Sequence, residues 1–235
     1  MRQIYILLCF FIIKSLNAQY SIGVFSGYTN NHLHTNISNR LLTENKNGNS
    51  FSTGLIFKYA YKNKIQLLTE LDLLQKNYSF VRKGIYEGIS ANYRNTYLQL
   101  PVIIEYKLLQ NSQWELWFDV GFFVSYWVDR NIKGVISNVF DSYYAVDAIG
   151  VVTNYLRFTN YSQKYSFSHL KDNRFEAGPL VGITPMYQIN NKYSFFVNTR
   201  FYLSIISQQK NYSISQIMQY NQTIVISAGC MFNFL

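Results

Sequence analysis

Charged residues are scarce in this chain, and long apolar runs are scarcer still. Asp, Glu, Lys and Arg make up 14% of the 235 residues, whereas a soluble domain usually has about 25%. Because a soluble fold needs a charged surface to stay dispersed, this composition argues against an ordinary soluble domain. Beyond the N-terminus there is no apolar run of about 18 residues, which argues against a helical membrane protein.

Cysteine and histidine are too few for the common metal and disulfide chemistry. The chain has two cysteines and three histidines, with no zinc-like spacing, phosphate loop or nucleophile elbow. Loss of Cys9 with the N-terminal segment would leave Cys230 alone, so no internal disulfide is expected. His32 and His34 could share one side of an extended segment, but without a third ligand we expect no metal and no cofactor.

The first residues have the pattern of a secretion signal. Arg2 precedes an apolar stretch over residues 4–13, and the small residue Ala18 precedes Gln19. The stretch is too short to span a membrane. We therefore predict a signal peptide over residues 1–18 and a single β-barrel domain over residues 19–235.

Aromatic residues are abundant, at 18% of the chain, and they recur in alternating patterns. In WELWFDVGFFVSYWV, residues 114–128, the even positions are apolar, whereas Glu115 and Asp119 lie at odd positions. Alternation with a period of two predicts strands. We predict eight: Tyr20–Tyr28, Ser50–Tyr61, Ile65–Asn77, Arg94–Leu108, Trp114–Val128, Asn173–Ile189, Tyr193–Ser207 and Gln222–Phe234.

Short and long connections alternate between these strands. The short turns are residues 62–64, 109–113 and 190–192, and the long loops are residues 29–49, 78–93, 129–172 and 208–221. This alternation is typical of outer-membrane barrels, which have tight periplasmic turns and long external loops. The predicted fold is therefore all-β: a transmembrane antiparallel up-and-down β-barrel of about eight strands in the cell outer membrane. The loop at 129–172 could hold its own hairpin or short helix.

The two faces of the strands differ in charge, and this difference indicates which face meets lipid. A soluble lipocalin-like barrel would turn its apolar face inward. Here the apolar faces have no charge, and the opposite faces mix sparse charges with glycine and apolar residues, which would make a poor water-exposed surface. We therefore expect the apolar face to meet lipid and the charges to pair inside the barrel. The predicted lumen network is Lys58, Glu70, Asp72, Glu105, Lys107, Glu115, Asp119, Glu176 and Arg200.

Aromatic residues also cluster within a few positions of the short turns. Rings with a polar tip favour the membrane interface, although β-propensity alone also enriches aromatics in strands. We favour the interface role and predict a periplasmic girdle of Tyr59, Tyr61, Tyr106, Trp114, Tyr187 and Tyr193.

The segment TYLQLPVIIEYKL, residues 96–108, resembles the signature strand of the PorT-like outer-membrane β-barrel family of Bacteroidetes. The matching residues are Tyr97, Leu98, Pro101 and, on the next strand, Gly121; FEAGPLVGI at 175–183 resembles a later glycine-rich strand of that family. The resemblance implies an integral outer-membrane protein, and the founding member is associated with type IX secretion. Because Pro101 lies in mid-strand and lacks an N–H group, a bulge or a local gap is expected there.

Three functional hypotheses follow, and none rests on a complete catalytic motif. The first is a non-enzymatic barrel with a structural or interaction role, and by resemblance an accessory of protein secretion. The second is a small pore or ligand transporter, and the third is a lipid-modifying enzyme that would use His32, His34 or Ser137. The expected partners are outer-membrane lipid, lipopolysaccharide and other envelope or secretion proteins, and an exported barrel does not meet nucleic acid. The basic loop residues expected to contact lipopolysaccharide or partners are Arg40, Lys46, Arg82, Lys83, Arg130 and Lys133.

Overall fold

Antiparallel strands account for most of the chain in the computed structural model, which describes residues 19–36, 41–213 and 217–234. The predicted signal peptide at residues 1–18, like Arg40, lies outside the described residues. The strands are β1 (Gln19–Thr35), β2 (Thr43–Lys62), β3 (Ile65–Gln75), β4 (Tyr78–Arg82), β5 (Ser90–Gln110), β6 (Trp114–Val146), β7 (Val152–Lys164), β8 (Phe175–Gln188), β9 (Tyr193–Leu203) and β10 (Gln219–Phe234), with a short 3-10 turn at Gly84–Tyr86.

Eight of these strands close into a ring in the order β1, β2, β3, β5, β6, β8, β9 and β10. The antiparallel pairing of β1 with β10 closes the ring, from Tyr20 opposite Phe234 to Thr35 opposite Gln219. This confirms the predicted eight-stranded up-and-down barrel. Within the described part of the chain, no helix is long and apolar enough to cross a membrane.

The apolar faces of the strands point outward, as the charge distribution predicts. On β6, Phe122 is 64% exposed, whereas its neighbour Phe123 is 1% exposed and packs in the interior. The exposed side chains form a band around the barrel, and burying them in fatty-acyl chains removes their contact with water. Cys230 also lies on this outward face.

Several strands extend further on the external side than the sequence predicts. The predicted loop at 29–49 is mostly the continuation of β1 to Thr35 and the start of β2 at Thr43. Asparagine is depleted in strands, so the asparagine-rich ends of β1 and β2 lack a strand-like sequence pattern. In the structure their amides bond across the ladder: Asn30 Nδ2 donates to Asn49 Oδ1 at 2.6 Å and Asn47 Nδ2 donates to Asn30 Oδ1 at 3.3 Å.

The predicted loops at 78–93 and 129–172 also contain strands. β4 continues the course of β3 and takes its place between β2 and β5 on the external side. β7 pairs only with the external half of β6, so the two form a hairpin that rises above the ring. The hairpin suggested for the second segment is therefore correct. The prediction that both segments are loops is wrong. Their strands have no continuous apolar face, so they lack the alternating pattern by which the ring strands are recognised.

Pro101 produces the gap expected of a mid-strand proline. In the ladder between β3 and β5, Thr69 pairs with Val102 and Asp72 pairs with Gln99, but the pairing is interrupted between them. The register is the same on both sides, so the strand has a gap and no bulge at this point. The Thr69 hydroxyl donates to the Pro101 carbonyl oxygen at 3.0 Å.

Candidate functional site

Arg200 is at the centre of the middle layer of the barrel interior. Its Nη1 atom lies 2.6 Å from Glu70 Oε1, and its Nε atom lies 2.8 Å from Asp119 Oδ2. Glu105, 3.8 Å from Arg200, also pairs with Lys58 at 3.1 Å. These five residues lie on five different strands, namely β2, β3, β5, β6 and β9, and all of them point inward. Side chains that are distant in sequence therefore meet in one network.

A second layer lies on the external side of the first. Lys76 Nζ is 2.6 Å from Glu176 Oε1, and Asn221 Nδ2 donates to Glu176 Oε2 at 2.9 Å. Gln208 Nε2 donates to the Tyr97 hydroxyl at 2.7 Å. The Lys76 ammonium also lies 4.8 Å from the centre of the Tyr97 ring, so the charge is held by both a carboxylate and an aromatic face.

A third layer lies towards the periplasmic turns. Lys107 Nζ is 2.6 Å from Glu115 Oε1, and the Trp117 indole donates to Glu115 Oε2 at 3.0 Å. These residues line a cavity of about 710 Å³ that opens at this end of the barrel. The cavity ends at the middle layer, where Lys58 forms part of its wall.

Asp72 is the member of the predicted network that the ion pairs do not include. It is buried on β3 opposite Gln99, and its Oδ1 atom has no hydrogen-bond partner among the described residues. The other eight predicted residues each lie in one of the three layers.

The middle layer blocks the interior. Arg200 and Glu70 are each 2% exposed, and Asp119 and Glu105 are fully buried. Residues that lined a continuous water-filled channel would keep accessible surface. The layer is therefore a plug of paired side chains, which is the usual filling of a narrow eight-stranded barrel.

The predicted girdle residues all lie at the end of the barrel that has short turns. Trp114 and Tyr187 pack against each other with ring centres 4.9 Å apart, and Tyr20 packs on Tyr59 at 5.4 Å. Tyr193 packs on Phe232 at 5.4 Å. These pairs lie beside the exposed residues Tyr61 and Tyr106.

Arg130 anchors the base of the external hairpin, although the sequence placed it in a loop. A β-bulge near Val128 shifts the register, so that Thr96 faces Asp129 while Tyr97 faces Trp127. The bulge reverses the alternation and turns Arg130 into the barrel. Arg130 is therefore buried, with 7% of its surface exposed.

Aromatic rings surround the buried Arg130 guanidinium. Its central carbon lies 4.4 Å from the centre of the Tyr93 ring, 5.1 Å from Trp127 and 4.9 Å from Tyr165. Arg130 Nη2 donates to the Tyr78 hydroxyl at 2.8 Å. Burial raises the pKa of Tyr78 to about 12, so this phenol stays neutral at physiological pH.

The residues suggested for lipid-modifying catalysis are not brought together. His32 and His34 lie on β1, and Ser137 lies on β6, which is on the opposite side of the ring. The two imidazoles share one side of β1, and His32 Nδ1 lies 2.8 Å from Asn47 Oδ1. Among the described residues no group of three or more potential ligands could hold a metal ion.

Two interior cations escaped the sequence analysis for different reasons. Lys76 directly follows β3 at an even position, like Glu70 and Asp72, so the alternation itself was a sufficient signal. Arg130 lies at an even position of β6, where the even residues from Trp114 to Val128 face outward, and only the bulge reverses this pattern. The amides of Asn221 and Gln208 carry no sequence pattern that distinguishes them from loop residues.

Comparison with known proteins agrees with this architecture. Residues 17–208 match the family described as outer membrane protein beta-barrel domain. OprG, an outer-membrane protein of Pseudomonas aeruginosa, is 12% identical, covers 91% of this chain and 95% of its own, and has a TM-score of 0.50. No curated protein sequence matches the chain significantly.

Two further solved structures are similar at lower TM-scores. Neisserial surface protein A is 13% identical over 93% of this chain and 99% of its own, with a TM-score of 0.43. The outer membrane protease OmpT of Escherichia coli is 11% identical over 92% and 96%, also with a TM-score of 0.43. At these identities the similarity concerns the fold alone. Since the family match covers most of the sequence and the strands close a ring with an apolar exterior, the chain belongs to the outer membrane protein beta-barrel domain family and resides in the outer membrane.

Proposed function

We propose that this protein is a non-enzymatic interaction protein of the cell surface. In this proposal the plugged barrel is the membrane anchor, and the hairpin of β6 and β7 is the contact surface for a protein partner. The observation that carries the proposal is that this hairpin exposes apolar side chains above the lipid-facing band, where the neighbouring strands expose polar side chains.

The hairpin exposes large apolar side chains far from the lipid-facing band. Phe140 is 96% exposed and Tyr144 is 74% exposed, and Val152 and Phe158 are also exposed. Exposed apolar patches above the membrane mark sites of protein contact.

The geometry of the hairpin also suits a protein partner. β7 pairs with β6 on one side, and no described strand pairs with its other edge. A free edge can accept an added strand through main-chain hydrogen bonds. At the tip, the Asp147 carboxylate accepts from the N–H groups of Ile149 and Val151 at 3.0 and 2.8 Å, so the turn is ordered and the hairpin is preorganised for binding.

The partner class that we propose is a component of a type IX-like protein export system. This step rests on the resemblance to the PorT-like family in Tyr97, Leu98, Pro101 and Gly121. Three of these residues have defined positions in the barrel: Tyr97 accepts a hydrogen bond from Gln208, Pro101 interrupts a ladder, and Gly121 lies close to a neighbouring strand.

Photo-crosslinking from the hairpin in intact cells tests the interaction role. A photoreactive residue at Tyr144 should crosslink to an export component, whereas one at Tyr61, exposed at the periplasmic end, should not. Crosslinks from Tyr144 to lipid alone would contradict the interaction role.

Replacing residues 138–160 with a short glycine-serine turn tests the export role separately. We expect the barrel to fold with normal heat-modifiable migration while protein export falls. Normal export in cells with this folded variant would contradict the accessory role and leave the interaction role to the crosslinking result.

A further inference from the structure

A polar groove lies on the outside of the barrel, just beyond the lipid-facing band. It has a volume of about 500 Å³ and lies across β2, β4, β5 and β6. Its lining includes five asparagines and two cations: Asn47, Asn49, Asn77, Asn92, Asn131, Arg94 and Lys133. This groove is separate from the interior network and from the exposed apolar side chains of the hairpin, and Asn131 and Lys133 lie at the hairpin's base, where β6 begins to pair with β7.

The strand register places the two cations diagonally across one ladder on the outer face. On β5, alternation from the lipid-facing Leu98 puts Arg94 and Asn92 on the same outward side. Arg94 pairs with Asn131 across the ladder, and Asn92 pairs with Lys133. The bulge near Val128 that turns Arg130 inward is also what turns Asn131 and Lys133 outward.

The two cations of this groove have no carboxylate partner in the part of the chain that the structure describes. Within the described residues, Arg94 and Lys133 take part in no ion pair with a carboxylate, and the nearby Asp129 lies 3.8 Å from Lys164 and accepts from Asn131 at 2.7 Å. Two other external lysines differ. Lys83 and Lys46 both pair with Glu44, at 3.0 and 4.0 Å.

The height of the groove matches the headgroup region of the outer leaflet. Arg94 lies four residues beyond Leu98, which is roughly 13 Å along the strand and, at a tilt of about 40°, roughly 10 Å along the membrane normal. At that level a lipid presents its phosphates and sugars. Arginine and lysine bind phosphate, and amides donate to and accept from sugar hydroxyls.

We propose that this groove binds the phosphorylated sugar headgroup of lipopolysaccharide. Arg94 and Lys133 would contact the phosphates, and the asparagines would bond the sugar hydroxyls. This inference does not depend on the proposed role of the hairpin. None of the groove residues is among the exposed apolar side chains on which the proposed protein contact rests.

Binding of lipopolysaccharide to the purified full-length protein in neutral detergent tests this proposal. The test variant is Arg94→Gln with Lys133→Gln, and the matched control is Lys62→Gln with Lys192→Gln, which removes equal charge near the periplasmic turns. We expect the test variant to bind lipopolysaccharide at least about tenfold more weakly and the control to bind like the wild type. Heat-modifiable migration confirms that each variant is folded.

Three results would overturn the proposal. The first is unchanged binding by the folded Arg94 and Lys133 variant, and the second is an equal loss in the control, which would indicate attraction by net charge alone. The third is equally tight binding of phosphatidylglycerol by the wild type, since that lipid has a phosphate but no sugar-phosphate headgroup. The variant Asn92→Leu measures what one amide contributes to lipopolysaccharide binding, separately from the two cations. Weaker binding by that variant supports the proposed contacts with sugar hydroxyls.

Discussion

Arg200 lies close to three buried carboxylates, more than any other cation of the described barrel interior. It contacts Glu70 and Asp119 directly and lies 3.8 Å from Glu105. These carboxylates lie on three different strands and point into an interior that excludes water. Removing the cation would leave them buried without their main partner, which is far more costly than losing a surface pair.

We therefore predict that Arg200→Ala lowers the free energy of unfolding by roughly 3–5 kcal/mol. Reversible urea unfolding in lipid vesicles would measure it. The control is Arg157→Ala, which removes a largely exposed pair with Asp141 and should cost less than about 1 kcal/mol. Equal losses in the two variants would show that the interior network does not stabilise the barrel.

Arg130 has a local role that can be separated from barrel stability. Its aromatic surroundings join β4, β5 and the base of the hairpin. In Arg130→Met the side-chain volume is largely kept, but the charge and the bond to the Tyr78 hydroxyl are lost. We predict faster limited proteolysis within residues 138–160 with unchanged heat-modifiable migration, and an unchanged cleavage rate would refute the anchoring role.

At the scale of the strands, close approach of neighbouring backbones explains Gly121. A Cβ atom at this position would collide with the carbonyl oxygen of Val102 on β5. Any side chain there must push β5 and β6 apart along their ladder. Ser125 lies on the same strand and the same buried face, so it offers a matched position where a side chain is already accommodated.

Gly121→Val should therefore reduce the yield of folded, heat-modifiable protein, and Ser125→Val should fold nearly as well as the wild type. Refolding into detergent micelles followed by gel migration without heating measures both yields. If the two valine variants refold equally, the close approach at Gly121 is not a constraint on folding.

The strands also show where sequence patterns succeed and where they fail. Inside the membrane, one face of each strand must be apolar, so alternation identified all eight ring strands and the inward position of residues such as Glu70 and Arg200. Outside the membrane that requirement disappears. The ladder continues through Asn30 and Asn49 by amide hydrogen bonds, which leave no alternating pattern to recognise.

At the scale of the whole molecule, the barrel has three different surfaces. The apolar exterior meets lipid, the paired interior fills the ring, and the external strands rise above the membrane as a polar extension with one apolar hairpin. Ring closure could be predicted, because alternating short and long connections permit it. The arrangement of the external surfaces could not, since it depends on the bulge near Val128 and on contacts between β4 and strands distant in sequence.

A plugged barrel conducts no ions, so single-channel conductance shows whether the middle layer closes the interior. The measurement uses folded wild-type protein, verified by heat-modifiable migration, in a planar lipid bilayer. Because Arg200, Glu70, Asp119 and Glu105 fill the middle layer and are almost inaccessible to water, we predict no steady channel activity. Reproducible, steady conductance from the folded wild type would show that the interior is open and would favour a small pore.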